Sequence, residues 1–530
     1  MNRPTVQRSL DAGPWRGRTE DLRGGLMVCG TTSNSGKTTV VAGLCRALSR
    51  AGVRVAPFKA QNMALNSAVT SDGHEIGRAQ YLQAQAAGIE PEVAMNPVLL
   101  KPTGERSSQV VVMGRPIGVM SAVEYHDAKS ELFSLVLEAL ADLRSRFDVV
   151  LVEGAGSPAE INLLDRDIVN LRLADAAGVP AVVVGDIDPG GVFASLYGTV
   201  SVLPDELRAR IGGFLINKLR GDPALLLDGT DQLAELSGVP TLGVIPMLPD
   251  LRLDAEDSLT LDRSEGSPLD ADASLDVAVI RLPRISNFTD LDALAVEPDV
   301  AVRYVRSARE LGRPDLVVLP GSKATVSDLD WLRARGLDRA IAALDATTTV
   351  LGICGGYQML GRSIDDEVES GHGVSAGLGM LPVETSFAAD KVLACRTGTA
   401  LGEAVTGYQI HHGRVAAPAD HTDDVGPQVW LRLDDEPEGI RANRVFGTTL
   451  HGLFDEDGFR RRFLAEVAKC AGTTFTPGDR TPADERNDQL DRLADHLEAS
   501  IDLPALGALI ASAAAAPDHS PHRELSAEPC

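Results

Sequence analysis

The stretch Thr349-Val350-Leu351-Gly352-Ile353-Cys354-Gly355-Gly356-Tyr357-Gln358-Met359-Leu360-Gly361 decides how the chain is read. A short apolar run ends at Cys354, two glycines follow, and Tyr-Gln-Met-Leu then reads as a helix opening. The pattern predicts strand, sharp turn and helix, with the thiol at the apex. Glycines on both sides of the sulfur remove Cβ atoms that would clash in a strained turn. They also leave backbone amides, that of Gly355 among them, beside the sulfur to meet an oxyanion. A helix starting just past the thiol aims the positive end of its dipole at it. An inert buried cysteine is the common fate of a lone thiol, but such a cysteine needs no flanking glycines.

A nucleophilic thiol needs a base. The histidines beyond it include His372, His411, His412, His421, His451, His519 and His522. His451, in Leu450-His451-Gly452-Leu453-Phe454-Asp455, follows a strand pattern and precedes an acidic turn. His411 and His412, in Gly407-Tyr408-Gln409-Ile410-His411-His412-Gly413, compete with it. Upstream, a strand over 315–319 leads into Pro320-Gly321-Ser322-Lys323, so the amides after Gly321 lie on a neighbouring strand where they can hold an oxyanion.

The first half carries a different chemistry. Gly25-Leu26-Met27-Val28-Cys29 reads as a strand, followed by Gly30-Thr31-Thr32-Ser33-Asn34-Ser35-Gly36-Lys37-Thr38-Thr39 and an amphipathic helix. This is a phosphate cradle, with amides and a helix N-terminus facing the anion. Lys37 is placed to reach the β- and γ-phosphates and the Thr38 hydroxyl to ligate Mg²⁺, so ATP binding is expected. Five residues between Gly30 and Gly36 make the loop one longer than the standard form. Lys59, just after the strand Val55-Ala56-Pro57-Phe58, is placed to meet phosphate or a carboxylate. The apolar strand ending at Glu153 puts a carboxylate opposite the loop to serve Mg²⁺. Asn217, at the edge of Gly213-Phe214-Leu215-Ile216, is placed to read a base. Polar segments over 72–80 and 95–102 carry no generic motif, and chemistry alone weighs them equally as site or surface loop. Repeated βα units with functional residues at strand C-termini predict a doubly wound parallel sheet.

Bulk properties bound the rest. The chain has 530 residues and a formal charge of -25, which argues against nucleic acid or anionic lipid as a partner. Its six cysteines are scattered without metal spacing, which points to reduced cytoplasmic thiols. Residues 1–24 read as a disordered leader with no signal-peptide core. No apolar run is long enough to span a bilayer. An acidic, loop-rich stretch over 251–273 reads as a linker between domains at 25–250 and 274–475. The tail 476–530 reads as a helix or two packed on the second domain, then disorder.

These residues also carry a resemblance. Cys354 in Gly-Ile-Cys-Gly-Gly-Tyr-Gln, with His451 downstream, resembles class I glutamine amidotransferases, and the Gly30 to Thr38 loop with Glu153 and Asn217 resembles the dethiobiotin-synthetase-like ligases. Fused in this order, with Lys59-Ala60-Gln61-Asn62-Met63, Asn96-Pro97-Val98-Leu99-Leu100-Lys101-Pro102, Asn287-Phe288-Thr289-Asp290-Leu291-Asp292 and Leu319-Pro320-Gly321-Ser322-Lys323, they resemble the cobyric acid synthase family. The resemblance implies an α/β chain of two doubly wound domains, an N-terminal P-loop parallel sheet and a C-terminal flavodoxin-like amidotransferase domain. It implies a carbon–nitrogen ligase of cobalamin biosynthesis using ATP, Mg²⁺ and glutamine to amidate a corrinoid. It assigns Cys354 as nucleophile and His451 as its proton carrier. Leu453 occupies the place of the Glu in the His-x-Glu of many class I enzymes, which leaves the third group open, with Asp455 a candidate. A partition-type P-loop ATPase, the rival reading, carries an extra lysine early in the loop where Thr31 stands, and has no use for the thiol elbow.

Overall fold

The computed structural model describes residue 15 and residues 22–104, 106–253, 273–416 and 427–513. The expected linker falls almost wholly outside the described residues, as do most of the leader and the end of the tail.

Apolar strands with no polar alternation must be covered on both faces, and the first half builds a sheet from them. Six parallel strands run in the order Thr241–Pro246, Ile211–Leu219, Ala181–Asp186, Gly24–Gly30, Val149–Glu153 and Val55–Phe58. The chain crosses from one side of Gly24–Gly30 to the other after Val149–Glu153, so the crevice for a ligand opens at the C-terminal ends of these central strands. The loop 30–36 and Glu153 both stand at that edge. Gly36 takes φ 96 as N-cap of the helix Lys37–Arg50, and a Cβ there would lie 2.2 Å from Asn217 Nδ2. No other residue fits.

The polar segments Gln61–Met63 and Val98–Pro102 join Ser107–Val112 and Arg115–Ser121 in a small sheet, and Ser67–Val69 pairs with Glu75–Gly77 in a hairpin. Cross-strand pairing holds them, with Val98, Leu100 and Val110 in one buried apolar cluster and Leu99 and Val111 in another.

The second half places five parallel strands in the order Val300–Val305, Leu275–Ile280, Leu316–Leu319, Thr349–Ile353 and Val445–Thr448. Numbered by sequence this is 2-1-3-4-5, the flavodoxin-like order. An extension follows that is antiparallel as far as the long hairpin Glu384–Ala400 with Glu403–Ala416, and Ser363–Asp366, parallel to Glu384–Ala400, and Gly373–Ala376 end the sheet. That hairpin reaches the first half. Lys391 meets Glu75 at 2.6 Å, and Tyr408 and Ile410 pack with Val69. The buried Glu75 carboxylate also takes Lys101 at 2.6 Å and accepts from the Ser67 hydroxyl at 2.9 Å.

The tail departs from expectation. Its helices, Pro482–Ser500 and Leu503–Ser512, pack on the first sheet and not on the amidotransferase half. Leu490, Leu493, Leu497, Leu503 and Leu506 share one core with Leu26, Val28, Val40 and Leu44. Arg46 pairs with Asp491 at 2.8 Å, and Arg50 with Asp495 at 2.6 Å. Gly43 lets the helices approach, since a Cβ there would lie 2.5 Å from Leu497 Cδ1. Within the expected leader, Trp15 is buried in the same core.

Candidate active site

Cys354 ends the strand Thr349–Ile353 at φ 51, ψ −109, a conformation that costs a non-glycine residue energy. Its amide donates to Thr448 O at 2.8 Å. Parallel pairing of Ile353 with Thr448 puts His451, three residues further on, beside the thiol. The two side chains are hydrogen-bonded. His451 is 1% exposed, and its backbone pairs with Tyr408 in both directions at 2.8 and 3.0 Å while the rings stack at 5.4 Å. The group on its far nitrogen is Asp290: Nδ1 donates to Asp290 Oδ2 at 2.6 Å, and the Gly452 amide donates to Oδ1 at 2.9 Å. Asp455 does not hold that place. Burial opposes charge on His451, but the carboxylate of Asp290 and the Cys354 sulfur outweigh it and raise the imidazole to about 10.

Both expected oxyanion glycines are closely packed, Gly355 against the residue after Gly321 and Gly321 against the ring of His451. A Cβ on Gly355 would lie 2.8 Å from Ser322 N, and one on Gly321 would lie 3.1 Å from His451 Cε1. The chamber here is small, about 30 Å³, and Lys101, Lys323, Lys391, His411 and His412 line it with Cys354. His411 Nδ1 donates to Gly413 O at 2.8 Å, which fixes the neutral tautomer, and burial pulls its imidazole down to about 4. His412 donates to Ala388 O at 3.0 Å, and burial lowers it too. Both rings are therefore in the chamber, but neither replaces His451 on the sulfur.

The second pocket, about 350 Å³, lies over the phosphate loop and is lined by Lys37, Lys59, Asn62, Met63, Glu153 and Phe288 among others. Lys37 Nζ donates to Thr32 O, Ser33 O and Gly156 O at 2.9 to 3.2 Å, so it bridges the loop to the end of the strand that carries Glu153. Thr38 Oγ1 donates to Glu153 Oε1 at 2.7 Å, Lys59 Nζ reaches the same oxygen at 2.8 Å, and Gln83 Nε2 donates to Oε2 at 2.6 Å. Gly30 ends the first strand and Thr31 follows it, Thr31 N donating to Val184 O at 3.0 Å. Asn217 sits against the loop itself: Nδ2 donates to Ser35 O at 2.9 Å and Oδ1 accepts from the Lys218 amide. A hydroxyl and a carboxylate in contact are a fitting pair for Mg²⁺, which takes few protein oxygens and completes its shell with phosphate and water. Among the described residues, no cluster of three or more His, Cys, Asp or Glu side chains offers an all-protein cage.

Sequence reasoning missed Asp290, Gln83, Glu75, Lys101 and Lys391. Asp290 lay inside a quoted motif without a role, 161 residues from its imidazole.

Comparison with known proteins agrees with both halves. Residues 26–261 match the CobQ/CobB/MinD/ParA nucleotide binding domain, and residues 276–459 match the CobB/CobQ-like glutamine amidotransferase domain. The chain is 53% identical over 502 residues to a cobyric acid synthase from Streptomyces coelicolor, covering 93% of this chain and 97% of that protein. It is 54% identical over 500 residues to a cobyric acid synthase from Rhodococcus jostii, covering 93% and 96%. A Nocardia farcinica cobyric acid synthase is 52% identical over 516 residues, covering 93% and 98%.

Proposed function

The chain belongs to the cobyric acid synthase family, ATP-dependent amidating ligases of cobalamin biosynthesis that carry a glutamine amidotransferase domain, and from that premise we propose how its two pockets divide the reaction. At the thiol, Cys354 Sγ attacks the amide carbon of glutamine. The amides of Gly355 and of the turn after Gly321 take the developing oxyanion. His451, held charged by Asp290, gives its proton to the departing nitrogen, and ammonia leaves. Water, deprotonated by the same imidazole, then cleaves the thioester to glutamate and free thiol.

In the larger pocket a corrinoid carboxylate takes the γ-phosphoryl group of ATP and ADP departs. Ammonia attacks the resulting acyl carbon and phosphate leaves, so the amide remains. Lys37 and the amides of the loop 30–36 offset the charge on the phosphates. Thr38 and Glu153 would hold Mg²⁺, which supplies further positive charge at the transferring group. Lys59 and Asn217 set the geometry around them, through Glu153 and through Ser35. Met63, 54% exposed on the pocket lining, offers apolar surface to a large ring. The substrate read from the family is adenosylcobyrinic acid a,c-diamide, amidated at its b, d, e and g carboxylates, each with its own ATP and glutamine. Free thiols at Cys29, Cys45, Cys354, Cys395 and Cys470 support a reducing, cytoplasmic setting. Among the described residues, no helix is long and apolar enough to cross a membrane.

The observation that carries this reading is one chain holding both a Cys354–His451–Asp290 relay and a Lys37–Thr38–Glu153 phosphate site. Cys354→Ser tests it: amidation supported by glutamine should vanish while amidation supported by ammonium persists. Loss of both, or retention of both, would overturn the two-pocket scheme.

A further inference from the structure

Lys323 and Glu369 both line the thiol chamber, and they meet there as an ion pair. Among the described residues lining that chamber, Glu369 is the only carboxylate. The chamber's cations have different duties. Lys101 and Lys391 are both held by Glu75 and belong to the joint between the halves. Lys323 pairs with Glu369 instead.

Both partners stand on anchored backbone. Lys323 follows Ser322, whose amide nitrogen lies 2.8 Å from where a Cβ on Gly355 would sit, and its own amide donates to Arg284 O at 3.0 Å. Glu369 stands just past the strand Ser363–Asp366, where the buried Asp366 carboxylate accepts from the amides of Val368, Glu369 and Ser370 at 3.1, 2.7 and 3.0 Å. The turns are pinned, and two long side chains span the space between them. A chamber of about 30 Å³ holds a water-sized molecule and not a whole glutamine. Some part of its wall must therefore swing aside before substrate reaches Cys354. The Lys323–Glu369 pair can part by side-chain rotation alone.

We propose that Lys323 and Glu369 form the head-group subsite for glutamine: their ion pair latches the chamber, and on binding Lys323 takes the α-carboxylate and Glu369 the α-ammonium. The inference deepens, and rests on, the reading of Cys354 as the nucleophile that hydrolyses glutamine. Charge favours the exchange. The two side chains are 8% and 19% exposed, so parting them without replacement strands two poorly solvated charges. A zwitterion gives each an opposite charge again, which a simple neutral amide cannot do. Selectivity follows from the same exchange, because a site built around a polar group rejects an analogue that lacks it.

The test measures glutamate formation by the full-length enzyme, with two competitors that each lack one charge of glutamine. γ-Aminobutyramide lacks the carboxylate and glutaramate lacks the ammonium. For each, the inhibition constant is divided by the KM for glutamine. In the wild type both ratios should be about tenfold or more, the size of one lost charge-assisted contact. Lys323→Met should raise the KM for glutamine by a similar factor and bring the γ-aminobutyramide ratio near one, leaving the glutaramate ratio high. Glu369→Gln should do the reverse. A variant that is merely destabilised lowers the amount of active enzyme and moves neither ratio. Any pattern other than this crossing overturns the subsite. A wild type that forms no glutamate from glutamine overturns the reading of Cys354 instead.

Discussion

His451 carries its proton because Asp290 is there, and the consequence can be read as a pH profile. The imidazole is raised in the fold, so the stability linked to its proton is full below 6.5 and is lost as pH climbs through about 10. Asp290→Asn removes the charge that opposes burial. The imidazole should then fall toward or below 6.5, and the alkaline limb of glutamine hydrolysis should move down from near 10 toward neutrality. The maximal rate should drop roughly 10²-fold or more, as for loss of a proton-transfer partner. A limb that stays in place would show that Asp290 only props the ring. At this scale the sequence was half legible. Glycines around Cys354 mark an elbow because local sterics demand them. Asp290 carries no local signature, since its partner arrives from the far end of the sheet, and the position two after His451, where an acid was sought, holds buried Leu453.

Elements were legible where a period sets them. Strands buried on both faces read as continuous apolar runs, and both parallel sheets follow from those runs and the βα alternation. The segments 61–63, 67–69 and 75–77 escaped because they are too short and polar to show alternation. The tail shows the opposite failure. Leucines at helical spacing in Pro482–Ser500 announce a buried stripe, but a stripe does not say which surface covers it. The helix crosses back to Lys37–Arg50. Truncating Leu497, 1% exposed against Gly43, should therefore cost about 2–5 kcal/mol. Leu497→Ala, followed by hydrogen exchange, should speed exchange in Lys37–Arg50 and leave Thr349–Ile353 at the wild-type rate. Faster exchange around Thr349–Ile353 instead would place the tail's stabilising role on the other half.

At the scale of the molecule, the halves are joined by polar contacts that no single segment reveals. Glu75 accepts Lys101 from its own half and Lys391 from the other, and although burial opposes its charge, those two ammonium groups hold its carboxyl well below the usual range. Around this buried triad lie the turn bearing Asp290 and the hairpin bearing Tyr408, so docking of the halves and assembly of the thiol site are one event. Trp15 belongs to the core that the returning tail completes, with its ring 3.5 Å from where a side chain on Gly507 would begin. The polypeptide is thus close to a closed loop, and where it is cut matters less than whether the loop is whole. A rearranged protein beginning at Ala273, joined from Ala513 to Trp15 by a short spacer, and ending at Leu253 should fold and retain both glutamine hydrolysis and amidation. Residues 22–253 produced alone would lack the leucine-bearing cover over Leu26, Val28 and Val40, and should aggregate on expression.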